Sequence, residues 1–177
     1  MIQTKKIIKD TFWELLEEKP YNKITVRDIV ERLDINRNTF YYYFQDIPTL
    51  MIDSIEDWVD GVIKEYGRSS SPEDCLVYMA RECMKRRSAL LHLYVSVDKD
   101  IFLSRVNKIS YGFVKTYVDN HVCLPLDEKN KLIKSYKWIF VGSLLDWLEE
   151  DGDYDLVAMY ANFCRIFKGS SKRVASK

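Results

Sequence analysis

The fold is decided by residues 24–44, which read ITVRDIVERLDINRNTFYYYF. Thr25 is a favoured N-cap residue, and Asp28, three residues later, completes a capping box. Apolar residues then recur at helical spacing as far as Leu33. The first half of this stretch therefore predicts a short helix with one apolar face.

A second short helix follows after a minimal connection. The dipeptide Asp34-Ile35 is too short for anything but a turn, and Asn36 is a favoured cap for a helix that runs from about Arg37 to Phe44. Two capped helices of about two turns each, joined by a tight turn, predict a helix-turn-helix.

The second helix carries an unusual surface. Phe40 and Phe44 are four residues apart and are expected to face the core. The remaining side chains are Arg37, Asn38, Thr39, Tyr41, Tyr42 and Tyr43. These residue types hydrogen bond to base edges and phosphates, which favours a DNA-reading helix. The alternative is that the tyrosines pack on neighbouring helices.

Residues 24–50 resemble the DNA-binding domain of TetR-family transcriptional regulators. The matching residues are Thr25-Val26-Arg27-Asp28-Ile29, Asn36 to Phe44, and Leu50. The resemblance implies a homodimer that places each recognition helix in a major groove of a pseudo-palindromic operator in double-stranded DNA. It implies a transcriptional regulator, which we expect to be a repressor, and not an enzyme.

The resemblance assigns expected DNA contacts to particular residues. Those expected to contact bases or the sugar-phosphate backbone are Arg37, Asn38, Thr39 and Tyr42. Those expected to position the DNA backbone are Thr25, Arg27, Tyr41 and Tyr43. Lys6 on the preceding helix, with Lys5 and Lys9, is expected to approach phosphates.

Three positions depart from the family pattern. Asp34 stands where Gly is usual, but Asp tolerates left-handed dihedrals better than most residues. Tyr43 stands where His is common, and Ile47 stands where a phosphate-binding Lys is common. The missing Lys predicts weaker or less salt-sensitive DNA binding.

The C-terminal part resembles one subgroup of the family, which includes activators of dihydroxyacetone-kinase operons. The segments that resemble this subgroup are His92-Leu93-Tyr94, Ser96-Val97, Tyr136-Lys137, Val141-Gly142 and Asp146-Trp147. The family has a ligand cavity in this domain, and the candidate lining residues are Trp58, His92, Tyr111 and Tyr136. In that subgroup the effector is another protein, so the expected effector is an unknown small molecule or a protein. The alternative for each aromatic residue is ordinary core packing.

Composition indicates an all-α protein, and caps and apolar periodicity along the chain predict about nine helices. The chain has 177 residues, with four prolines, six glycines and little strand-like alternation. Lysine and arginine number 27 and aspartate and glutamate also number 27, so the net charge is zero. This balance argues against nucleic-acid binding by bulk charge. It motivates an alternative function, a helical protein-interaction module or co-activator of the same fold with weak or lost DNA binding.

The predicted domains are a three-helix DNA-binding domain over residues 1–46, a regulatory and dimerisation domain over 47–168, and a flexible tail over 169–177. Residues 67–71 are a clear loop, although the functional boundary is placed nearer Asp46. The fourth helix, from Asp46 to about Tyr66, would join the two domains.

A long helix predicted over residues 126–150 is apolar around more than one face. One monomer covers one such face, so a second chain is expected on the other. The family dimerises through its last two helices, which gives the candidate interface residues Phe140, Leu144, Trp147, Leu156, Met159, Tyr160, Phe163 and Phe167. The alternative is ordinary monomer core.

The sequence carries no sign of a cofactor, a metal site or a membrane span. Its four cysteines form no CxxC pair and only two histidines are present, so no zinc signature fits. No catalytic Ser-His-Asp set, phosphate-binding Gly loop or HExxH motif occurs. The N-terminus lacks a signal peptide, which predicts a cytoplasmic protein.

Overall fold

A computed structural model describes residues 2–66, 72–163 and 165 of the chain. Eight α-helices have defined limits within these residues: α1 Ile2–Glu18, α2 Val26–Leu33, α3 Arg37–Tyr43, α4 Ile47–Tyr66, α5 Pro72–Lys85, α6 Arg87–Tyr94, α7 Lys99–His121 and α8 Leu126–Glu149. A last helical segment occupies residues 156–163. The described chain contains no strand, so the predicted all-α fold is confirmed.

The limits predicted for α3, α4 and α8 differ from the observed ones by one residue at most. Capping side chains mark several of the helix starts. Asp46 Oδ1 accepts a hydrogen bond from the Thr49 N–H at 2.8 Å at the start of α4. Asp98 Oδ1 does the same for the Asp100 N–H at 3.0 Å at the start of α7. The predicted loop at 67–71 and tail at 169–177 lie outside the described residues.

The chain forms two compact units. The first contains the described residues of Met1–Gly61 and Ser88–Arg105, and the second those of Val62–Arg87 and Val106–Lys177. The helix α6, predicted to be part of a regulatory domain, thus belongs largely to the same unit as α1. The predicted boundary between residues 46 and 47 concerns function and stays a prediction.

The first unit has its core along one face of α1. Ile8, Phe12 and Leu16 recur at four-residue spacing and have no exposed surface. Side chains with no exposed surface also come from α2, α3 and α4, namely Ile29, Phe40 and Leu50. Helices as short as α2 and α3 are not stable alone, so this shared core is what holds them.

The second unit has its core at the end of α8. Trp147 has no exposed surface, and its indole N–H donates to the Tyr154 carbonyl at 2.9 Å. In the last helical segment Leu156 also has no exposed surface, and Tyr160 is only 1% exposed. Tyr160 also shares a hydrogen bond with Ser143 of α8, which fixes the segment against that helix.

A left-handed turn joins α8 to the last helical segment. Asp151 and Gly152 have φ values of 54° and 68°. The Arg87 guanidinium donates to the carbonyls of both residues, at 2.6 and 3.0 Å. A Cβ at Gly152 would lie 2.6 Å from Arg87 Nε, so glycine is required here for space as well as for its backbone conformation.

The structure corrects the predicted dimer contacts. Five of the eight candidates are at most 5% exposed within the single chain: Phe140, Leu144, Trp147, Leu156 and Tyr160. A side chain with almost no exposed surface adds almost no area to a contact with a second chain. These five are therefore monomer core, the alternative that the sequence left open. Met159 and Phe163 are half-buried, and Phe167 lies outside the described residues.

Candidate nucleic-acid interface

The capping box predicted at the start of α2 is formed. The Asp28 carboxylate accepts hydrogen bonds from the Thr25 N–H and hydroxyl at 2.7 and 2.6 Å, and the Asp28 N–H donates to Thr25 Oγ1 at 3.2 Å. Partial burial raises the pKa of Asp28, but hydrogen bonds from Lys19 and Thr25 outweigh that effect and bring the pKa to about 2. The start of α2 is therefore fixed by an ionised carboxylate at neutral pH.

The turn between α2 and α3 is tight, as predicted. Asp34 adopts the left-handed conformation, with φ 51° and ψ 45°, and the Ile35 N–H donates to the Val30 carbonyl at 3.0 Å. Asn36 caps α3, because its Oδ1 accepts from the Asn38 N–H at 2.8 Å. Both ends of the connection are thus fixed by local hydrogen bonds, which sets the angle between the two helices.

The outer surface of α3 is aromatic and polar. Phe40 and Phe44 are buried as predicted, whereas Tyr41 and Tyr42 are 53% and 67% exposed. The Tyr42 and Tyr43 rings meet edge to face, with their centroids 4.9 Å apart. For Tyr41 and Tyr42 the alternative of packing on neighbouring helices is therefore wrong.

The other candidate DNA contacts differ in how freely their side chains can move. Arg37, Asn38, Thr25 and Lys6 are exposed, while Thr39 and Tyr43 are half-buried. Arg27 is exposed, but its Nε lies 2.6 Å from Glu31 Oε1, so a phosphate would have to compete with that carboxylate. The assignment of these residues to DNA contacts stays a prediction.

Lys9 does not fit its predicted role. It is 6% exposed, and its ammonium lies 3.0 Å from the Asp53 carboxylate and is hydrogen bonded to Asp57 on α4. Burial lowers the pKa of Lys9, but hydrogen bonds to the two carboxylates outweigh that effect and raise it overall. Lys5 is also paired with Asp53, at 2.7 Å, and lies 5.5 Å from the centroid of the Phe44 ring. Of the three lysines, Lys6 is the exposed one.

The four candidate ligand-pocket residues are divided between the two units. In the first, Trp58 packs edge to face on Trp13, and His92 Nδ1 lies 2.6 Å from the Leu16 carbonyl. In the second, Tyr111 is 41% exposed and Tyr136 is half-buried. The ligand site stays a prediction.

Sequence patterns missed the contact of His92 with α1. Within a helix, the Leu16 carbonyl would accept from the N–H of residue 20, but that residue is Pro20, which has no N–H. His92 stands within hydrogen-bond distance of this unmatched carbonyl. A proline four residues after a helical residue indicates that the carbonyl of that residue lacks its backbone N–H donor. It does not indicate which side chain replaces that donor.

Among the described residues, no cluster of three or more His, Cys, Asp or Glu side chains could hold a metal ion. None of the helices in this part of the chain has the length and apolar character needed to cross a membrane.

The geometry defines a helix-turn-helix protein with an exposed polar and aromatic second helix. Residues 8–51 match the family model described as bacterial regulatory proteins, tetR family. A 50-residue segment is 42% identical to the HTH-type dhaKLM operon transcriptional activator DhaS of Lactococcus lactis subsp. lactis (strain IL1403). That match covers 28% of this chain and only 27% of that protein.

Solved structures extend the likeness to the whole fold. The dihydroxyacetone kinase operon activator DhaS aligns over 97% of this chain and 98% of its own, with a TM-score of 0.77 and 19% identity, a likeness of fold alone. A TetR transcriptional regulator from Streptococcus agalactiae 2603V aligns over 89% of this chain and 93% of its own, with a TM-score of 0.58 and 26% identity. The N-terminal helix-turn-helix part therefore matches the tetR family of bacterial regulatory proteins, and the fold of the whole chain resembles that of DhaS.

Proposed function

We propose that this protein is a sequence-specific DNA-binding transcriptional regulator that acts as a homodimer on a pseudo-palindromic operator. The observation that carries the proposal is the outer surface of α3, where Tyr41 and Tyr42 stay exposed on a helix fixed by buried Phe40 and Phe44. An exposed pair of aromatic side chains on a rigid scaffold is costly in water and is suited to contact with DNA.

In the proposed complex α3 enters the major groove. Arg37, Asn38, Thr39 and Tyr42 contact bases or the sugar-phosphate backbone, because they lie along the helix toward its exposed side. Thr25 and Arg27 at the start of α2, with Tyr41, Tyr43 and Lys6, position the duplex through its phosphates. Residues 1–46 form the DNA-binding part, and residues 47–168 the regulatory part.

An effector in the regulatory part would control operator binding. In a two-state regulator, an effector acts only through its different affinity for the DNA-binding and non-binding conformations. A small molecule and a protein partner are both compatible with this scheme. A panel of small molecules that gives no thermal shift, together with a partner protein that does, would favour the protein effector.

The sign of regulation has two candidates. Repression is the simpler one, because a dimer on an operator can exclude polymerase without any further contact. Activation is favoured by the similarity to DhaS, which is described as an operon activator. Transcription in vitro from a promoter carrying the selected operator, with and without the protein, distinguishes them.

The first test is selection of duplexes from a random pool by the wild-type protein and by an Arg37→Ala, Tyr42→Ala double variant. We expect an inverted repeat for the wild type and a loss of affinity of about 30-fold or more for the variant, since each base contact contributes about 1–3 kcal/mol and the variant removes two of them. An Arg81→Ala variant removes the same charge from an exposed position on α5 and should bind as the wild type does.

A contrary result favours the alternative function. The net charge of zero and the engagement of Lys9 with two carboxylates both reduce attraction to DNA. Selection without enrichment, combined with no salt-dependent binding to any duplex, would leave a helical interaction module regulated by a protein partner.

A further inference from the structure

Most of the positive charges in the helix-turn-helix part are neutralised by ion pairs. Residues 2–50 contain eight lysines and arginines, and five of these pair with carboxylates on α1, α2 and α4. The paired residues are Lys5, Lys9, Lys19, Arg27 and Arg32. A paired cation adds little net attraction for a phosphate, because its carboxylate repels the same phosphate.

The other three cations are available to an anionic ligand. Lys6, Lys23 and Arg37 are exposed, and no carboxylate in the described part of the chain forms an ion pair with them. Lys6 and Arg37 are among the DNA contacts predicted from the sequence. Lys23 is not, although it shares the exposure and the lack of a carboxylate partner that distinguish those two residues.

The backbone at Lys23 is held in place by hydrogen bonds and by the core. In the single 3₁₀ turn before α2, the Lys23 N–H donates to the Pro20 carbonyl at 2.9 Å. The Ile24 N–H donates to the Tyr21 carbonyl at 3.0 Å, and Ile24 is only 5% exposed. The Tyr21 ring also packs edge to face on Phe12, with the centroids 6.5 Å apart. The lysine side chain therefore starts from a fixed point on the surface of the first unit.

Lys23 and Thr25 lie on the same side of the chain. Ile24 and Thr25 have extended backbone conformations, with φ/ψ values of −86°/127° and −121°/160°. Side chains alternate along extended backbone, so the buried Ile24 separates two neighbours that both face outward. Two residues of extended chain span about 7 Å. Lys23 is therefore presented next to Thr25, a residue proposed to position the DNA backbone.

We propose that Lys23 binds a DNA phosphate beside the one approached at Thr25. The proposal rests on the DNA binding of the proposed function and adds one residue to its contact surface. Lys23 is suited to this contact because it has no carboxylate to give up, whereas each paired cation of this part would first lose its ion pair.

The test compares how salt affects operator binding by the wild type and by Lys23→Gln. Each ionic contact contributes about 0.9 to the slope of log Kd against log salt, so the slope should become shallower by that amount for each half-site. At about 0.15 M salt this corresponds to a loss of affinity of about fivefold for each contact. Lys23→Arg keeps the charge and should retain both the slope and the affinity.

Two matched variants separate a phosphate contact from a change in net charge. Arg32→Gln removes one positive charge from the same part of the chain, but from an ion pair in which Arg32 Nη2 lies 2.7 Å from Glu18 Oε2. Lys108→Gln removes an exposed lysine from α7. Both variants should keep the wild-type salt slope. Lys23→Gln should also unfold in urea as the wild type does, since the Lys23 ammonium is exposed and outside every ion pair of the described chain.

Operator selection completes the test. Lys23→Gln should select the same inverted repeat as the wild type, because a phosphate contact carries no sequence information. A wild-type salt slope for Lys23→Gln, or an equal change of slope for Arg32→Gln, overturns the assignment of Lys23 and leaves the proposed function intact. A wild-type protein that shows no salt-dependent binding to any duplex overturns both.

Discussion

At the scale of single residues, the Asp28 carboxylate gives a test of how α2 is held. We predict that Asp28→Asn lowers the free energy of unfolding by about 1 kcal/mol at pH 7, because the cap hydrogen bonds and the contact with Lys19 are weakened. Lys19 Nζ lies 2.8 Å from Asp28 Oδ1. Urea unfolding of both proteins measures the difference, with Asp10→Asn on the exposed side of α1 as the control for net charge.

The pH dependence of that difference has a definite sign. The pKa of Asp28 is about 2 in the folded chain, compared with about 3.9 for an unfolded aspartate. Its contribution is therefore complete above the unfolded value and is lost as the pH falls through the folded value. The gap between wild type and variant should shrink between pH 5 and pH 2, roughly the window between these two pKa values. A gap that stays constant over this range would contradict the assignment.

Residue-level predictions succeeded where the interaction is local. The caps at Thr25 and Asn36 and the left-handed Asp34 follow from residue type and from neighbours two or three positions away. The role of Lys9 did not follow, because its partners lie 44 and 48 residues further along the chain. Nothing in the spacing around Lys9 distinguishes a lysine that is buried between carboxylates from one that faces phosphate.

At the scale of helices, the first position of α4 is where TetR-family proteins commonly carry a phosphate-binding lysine, and this chain has no lysine there. Ile47 is the first residue of α4 and is half-buried. We predict that Ile47→Lys tightens binding to the selected operator and steepens the dependence of log Kd on log salt by about one unit, the amount for one added phosphate contact. Gel-shift titrations at several salt concentrations measure both, and Ile47→Met is the neutral control. A tighter complex with an unchanged salt slope would place the added lysine away from phosphate.

Helix limits were predictable from sequence, but the surface that each helix presents was less so. The apolar pattern of α8 indicated a helix buried on more than one side. It did not separate the side buried within the chain, which contains Phe140 and Trp147, from the side with exposed Trp138. That distinction depends on the last helical segment, which packs on α8 through Leu156 and Tyr160. The apolar pattern of α8 alone does not predict this packing.

At the scale of the whole molecule, α6 belongs with the N-terminal helices, and His92 marks one point of contact. We predict that His92→Phe lowers the free energy of unfolding by about 1–2 kcal/mol, because the Leu16 carbonyl loses its partner while Pro20 offers no N–H. His92→Gln keeps a donor and should recover part of the loss. Thermal or urea unfolding tests this, and equal stability of the two variants would show that the hydrogen bond contributes nothing.

The division into two units could not be predicted from the sequence. The loop at 67–71 was the clearest boundary signal in the sequence. The chain, however, passes from one unit to the other partway along α4, and again near Arg87 and near Arg105. Composition and periodicity indicate which residues are buried. They do not indicate which residues pack against each other, because those contacts join positions that are distant in sequence. Caps and apolar periodicity predicted the helices in their order along the chain, and two solved structures align with this fold over most of the chain.

The ion pairs of Lys5 and Lys9 also bear on how such a protein would search a genome. Their ammonium groups are turned toward Asp53 and Asp57 of α4, so they are not displayed toward a passing duplex. Weak attraction to random sequence shortens each residence on the wrong site and therefore shortens one-dimensional sliding. We expect the search to proceed mainly by repeated three-dimensional encounters, with little of the protein sequestered on non-cognate chromosome.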